Sequence, residues 1–141
     1  MARTAGQSDE APPPAGPYSP SVRIGSIIAG AGQAGITADG TVVEGVGQQT
    51  RQAMANLLAS LASSGARSDD VLSVRVFLTN PADFEAMNAE YRTFFMEPYP
   101  ARTTVYVGLP PSLLVEIDAI AVLSAEARPS ARSTAQRAPE E

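Results

Sequence analysis

The sequence predicts an α+β fold: a mixed sheet with two helices packed on one of its faces. Three observations predict it. Segments of two-residue and 3.6-residue apolar period follow one another in the order β-β-β-α-β-α-β-β. Only two of them are helical. They lie between strands, so they cover one sheet face and leave the other needing a partner, such as another copy of the chain.

Val22-Arg23-Ile24 and Ile27-Ile28-Ala29 are short strands split by a Gly25-Ser26 turn, which reads as a hairpin. Gly30-Ala31-Gly32-Gln33-Ala34-Gly35 follows, and its alternating glycines mark a bulge or backbone that something approaches closely. It is not a dinucleotide fingerprint, because no helix opens directly behind it. Asp39-Gly40 is a turn, and Thr41-Val42-Val43 reads as a short third strand. Residues 48–64 form a helix whose stripe is Met54, Leu57, Leu58 and Leu61, closed by Gly65. Leu72, Val74, Val76 and Leu78 alternate with polar or outward residues as a strand. Asn80 caps the second helix, Pro81 suits its first turn, and Phe84, Met87, Tyr91 and Phe94 or Phe95 form its apolar stripe. Two strands close the domain, over 100–107 and 114–122, joined through Gly108-Leu109-Pro110-Pro111-Ser112.

Outside this core the composition changes. Residues 1–16, with Pro12-Pro13-Pro14, read as a disordered Pro-rich head. Residues 124–141 read as a disordered tail of Ala, Ser, Arg, Pro and Glu. The domain is therefore expected over 17–123.

Composition excludes whole classes of chemistry. The chain has 141 residues, no Cys and no His, and every basic side chain is Arg. That removes thiolate and imidazole nucleophiles and ligands, Schiff-base lysines and the phosphate-loop lysine. The net charge of −5 argues against a nucleic-acid surface. No apolar run is long enough to span a bilayer, and the expected setting is cytoplasmic. No cofactor or metal is expected, since no Asp/Glu clustering marks a carboxylate metal site. Carboxylates, hydroxyls, arginine, backbone and water remain.

Two charged residues stand in apolar strands: Arg102 and Glu116. A charge there is costly unless it is paired or used. By strand parity Arg102, Thr104 and Tyr106 share one face, and Asp118 shares the face of Glu116.

Gly16-Pro17-Tyr18-Ser19, Ala31-Gly32-Gln33, the run 49–57, Val76-Phe77-Leu78-Thr79, the run 84–91, Pro100-Ala101-Arg102-Thr103 and the run 115–121 occur in an order that resembles the Rid (YjgF) family of reactive intermediate deaminases. The resemblance implies a chorismate-mutase-like α+β fold and a homotrimer with a central barrel and ligand clefts between subunits. It implies hydrolysis of enamines and imines such as 2-aminoacrylate to 2-oxo acids and ammonia. By resemblance Arg102 clamps the substrate carboxylate, the alternative being an ion pair, with Glu116 itself as one partner. Glu116 orients the attacking water and passes a proton to nitrogen; Asp118 is a weaker candidate. Tyr18 contacts the ligand or packs an interface, and Gly32 gives close backbone approach or a plain bulge. Asn88 helps build the cleft or is a satisfied structural amide. Tyr106 shapes the pocket or packs between subunits. The chain departs from many active members at Ala31, where they carry Ser, and at Thr104, where they carry Cys. Those departures leave room for a specialised biosynthetic enzyme acting on an imine, or for a non-catalytic trimer that binds small carboxylates. Some family members have been described as ribonucleases; the acidic balance and the missing His and Lys disfavour that here.

Overall fold

A computed structural model describes residues 1–124. Six strands form one sheet: β1 (Thr4–Gly6), β2 (Ser21–Ile24), β3 (Ile27–Ala34), β4 (Val71–Leu78), β5 (Ala101–Tyr106) and β6 (Val115–Val122). Their spatial order is β1-β2-β3-β6-β4-β5. Only β4 and β5 run parallel, and the helix α2 (Phe84–Tyr91) crosses between them. The longer helix α1 (Val46–Ser63) joins β3 to β4.

Both helices lie on one sheet face. Ile28 of β3, Val74, Val76 and Leu78 of β4, and Val115, Ile117, Ala119 and Ala121 of β6 point into that layer and are buried. They meet Ala53, Met54, Leu57 and Leu61 from α1 and Met87 and Tyr91 from α2. The α1 stripe runs at the expected helical spacing, but Leu58 is only half-buried at its flank. Asn80 accepts a hydrogen bond from the Ala82 amide at 3.0 Å and opens the short 3-10 turn Pro81–Asp83 ahead of α2.

Three expectations are corrected. Thr41-Val42-Val43 is not a strand; Val42 makes one isolated bridge to Ile36. The Thr37 and Asp39 side chains and the Gly40 amide, 2.9 Å from the Thr37 carbonyl, fold 37–41 into a turn too tight for a ladder. The additional strand lies in the head instead. Thr4–Gly6 pairs antiparallel with β2, and Ala11 is buried, so the head is not disordered across these residues. Strand pairing uses backbone groups, which a composition poor in apolar side chains does not reveal. A Cβ on Gly6 would lie 2.6 Å from the Ser21 and Ser63 hydroxyls and closer still to that of Ser64, so a larger residue there must displace them. Leu72 is exposed rather than inward, because the β4–β6 register shifts between Val71 and Ser73 and reverses the parity. The expected tail lies outside the described residues beyond Ser124.

Candidate functional site

The register places Arg102 and Glu116 on opposite faces. Arg102 pairs with Val74, which pairs with the buried Ala119, so Arg102 shares the helix face. Glu116 pairs with Phe77, which pairs with Val105, on the uncovered face. An Arg102–Glu116 ion pair within one chain is therefore excluded by the sheet itself.

On the helix face, β5 is the edge strand and α2 lies beside it. The Arg102 guanidinium carbon sits 4.7 Å from the Tyr91 ring centroid and 5.6 Å from that of Phe84. Its NH1 lies 4.0 Å from the Met87 thioether. Neither of the described ion pairs, Arg51–Glu90 and Arg75–Asp118, uses it. A cleft of about 530 Å³ opens there, lined by Asn88, Tyr91, Arg92, Glu97, Tyr99 and Arg102. Asn88 Oδ1 is buried without a hydrogen-bond partner, and so is Thr104 Oγ1, which projects from the same face as Arg102. The reading of Asn88 as a satisfied structural amide is thus corrected: its acceptor is open. Buried polar atoms are normally paired, so open ones call for an explanation. An unpaired arginine fork suits a carboxylate, and the open Asn88 acceptor beside it suits an N–H or O–H donor rather than a second acceptor.

The uncovered face carries a second group. The Glu116 carboxylate lies over the backbone of Gly32; a Cβ at Gly32 would stand 2.8 Å from Glu116 Oε1. The β3–β6 register also shifts between Gly30 and Gln33. Gly32 therefore lies within the register shift, with the Glu116 carboxylate against it. Glu116 forms no hydrogen bond or ion pair with another described residue. Ala31 holds the chain against Pro20 through its amide at 2.9 Å. It lines an open-face hollow with Arg3, Tyr18, Arg75 and Asp118. Tyr18 is half exposed, and its hydroxyl accepts from the Ala15 amide at 3.1 Å. Asp118 is gripped by Arg75 through two contacts of 3.0 and 2.6 Å, which raises the Arg75 pKa and occupies the carboxylate. Tyr106 is exposed near the end of β5.

Arg102 and Asn88 therefore line the cleft on the helix face, Thr104 shares that face of β5, and Glu116, Gly32, Ala31 and Tyr18 belong to the other face. Sequence reading missed Tyr91, which it placed in the core stripe. A tyrosine three residues after Asn88 on that stripe gives no separate signal.

A mixed sheet with helices on one face, the other face bare and a cleft holding an unpaired arginine at its edge places the chain in the α+β class. The chain belongs to the family described as Endoribonuclease L-PSP, whose model matches residues 8–123, and so to the Rid (YjgF) family that its motifs resemble. It is 39% identical over 116 residues to a 2-iminobutanoate/2-iminopropanoate deaminase of Dermatophagoides farinae, covering 80% of this chain and 91% of that one. A protein of the same name from Salmonella typhimurium is 37% identical over 120 residues, covering 82% and 94%. A crystal structure of E. coli TdcF with bound serine superposes with a TM-score of 0.82 at 33% identity, covering 86% of this chain and 99% of that one.

Proposed function

We propose that the protein hydrolyses short imino and enamino acids, 2-aminoacrylate among them, to 2-oxo acids and ammonia. The observation that carries this reading is Arg102, a guanidinium at the cleft that takes part in neither of the described ion pairs. Relatives named for 2-iminobutanoate and 2-iminopropanoate, and a neighbour with serine bound, support a small carboxylate ligand.

The proposed assembly is a homotrimer whose bare sheet faces form a central barrel. One chain keeps Arg102 and Glu116 on opposite faces, so a complete site needs Arg102, Asn88 and Thr104 of one protomer and Glu116, Gly32, Ala31 and Tyr18 of another. In that site Arg102 binds the carboxylate and the enamine is taken as its imine tautomer. Water forms the new C–O bond at the carbon of the protonated imine and gives one proton to Glu116, leaving a neutral carbinolamine. Glu116 returns that proton to the carbinolamine nitrogen, the C–N bond breaks, and the hydroxyl proton passes to the departing ammonia, which leaves as ammonium as the carbonyl forms. The step needs positioning and one proton relay. The acidic balance and the missing His and Lys make RNA the least favoured substrate. Among the described residues no helix is long and apolar enough to cross a membrane. Our reading of the enzyme as cytoplasmic would be checked by fractionation.

The test is release of 2-oxo acid and ammonia from 2-aminoacrylate generated in place. Arg102→Ala should lower kcat/KM about 100-fold, from loss of a charge-assisted contact worth about 3 kcal/mol, with the assembly intact. Glu116→Gln should lose rate while binding is kept. Turnover surviving Arg102→Ala would refute the clamp.

A further inference from the structure

The sheet-edge cleft contains one buried ring that the proposed chemistry leaves unused. Tyr91 ends α2, is buried, and has a hydroxyl oxygen without a hydrogen-bond partner. Phe95 backs its ring, with centroids 5.3 Å apart at 51°. The Arg102 guanidinium lies on its other contact, 4.7 Å from the centroid, with Phe84 at 5.6 Å beside it. Phe95, Tyr91 and Arg102 thus form a relay of packed groups that ends at the cleft.

A cation held by an aromatic face differs from one held by a carboxylate. The ring's negative face attracts the charge without taking any N–H donor, since those donors lie in the guanidinium plane. A carboxylate partner would neutralise the charge and occupy the fork. Burial raises the Tyr91 pKa, and the Arg102 charge only partly offsets that, so the phenol stays neutral at neutral pH and adds no competing anion.

We propose that Tyr91 is a positioning residue for carboxylate capture: its ring face, with Phe84 beside it, holds Arg102 ordered without an ion-pair partner. This rests on the reading of Arg102 as the carboxylate clamp. It assigns the work to the ring rather than to the hydroxyl.

The test uses the full chain and two measurements: NMR titration with 2-oxobutanoate, and steady-state turnover of 2-aminoacrylate. Tyr91→Leu should raise Kd and KM at least tenfold, with kcat changed less than threefold. Tyr91→Phe, which restores the ring, should recover most of the affinity. If Tyr91→Leu does not fold, Phe84→Leu at the half-buried second ring should raise Kd threefold or more. The inference is overturned if these leucine variants bind like the parent, or if Tyr91→Phe is as weak as Tyr91→Leu. Arg102→Ala separates the two levels. If it binds 2-oxobutanoate like the parent, the clamp itself is refuted. If it loses binding while the leucine variants keep it, only the role of Tyr91 falls.

Discussion

Gly32 shows how one missing methyl group shapes a site. A Cβ there would crowd the flexible end of Glu116 rather than any backbone, so the side chain can swing aside. Gly32→Ala should therefore leave stability within about 1 kcal/mol, helped by the entropy that alanine saves in a strand. Turnover should fall tenfold or more because the carboxylate is displaced; thermal melts and deaminase assays check both halves. Tyr91 gives a second prediction at this scale. Its folded pKa is raised by burial, so the unfolded chain ionises first as pH climbs past the ordinary value near 10. The stability it contributes is complete below that pH and is lost above it, through the folded pKa. Melting temperatures of parent and Tyr91→Phe should keep a constant difference from pH 7 to 9, and the variant should gain on the parent beyond about pH 10.

Gln49 does at the level of elements what no apolar residue could. It is buried on the first turns of α1. Its Nε2 donates to the Val43 and Ser112 carbonyls at 3.0 and 2.8 Å, and its Oε1 accepts from the Leu114 amide at 2.8 Å. One side chain thus ties the loop before α1 to the loop entering β6, the strand that carries Glu116. Gln49→Ala removes three part-buried hydrogen bonds to the backbone and should cost about 2 kcal/mol in denaturant unfolding. Asn56 plays a like part, donating to the Ile36 carbonyl at 2.7 Å. These two amides hold segment 35–43 to α1, which is why Thr41-Val42-Val43 does not need sheet pairing. Strand propensity was legible there; its partners were not.

Across the whole molecule, one sheet face is dressed by helices and the other is bare. Ile27 and Ile120, on the neighbouring strands β3 and β6, remain 56% and 46% exposed, with Val122 beside them. Contiguous exposed apolar surface of this kind marks an interface. Ile120→Arg should convert the proposed trimer to single chains by light scattering, and turnover should vanish because the two half-sites separate. A trimeric, active Ile120→Arg protein would show that the bare face is not the contact.

Five of the six strands, both helices, the inward stripes of α1 and α2, and the oddity of a charge at Arg102 and at Glu116 in apolar strands were written in local pattern. Periodicity and a charge in an apolar strand are local properties, and they survive translation into structure unchanged. What tertiary structure alone decided depends on register and on distance between remote segments. The bulge before Ser73 turned Leu72 outward, and the backbone pairing of Thr4–Gly6 ordered part of a Pro-rich head. The ladder from β6 through β4 to β5 set Arg102 and Glu116 on opposite faces. No reading of one strand could show that, because a side chain's face is defined only once its neighbours across the sheet are paired.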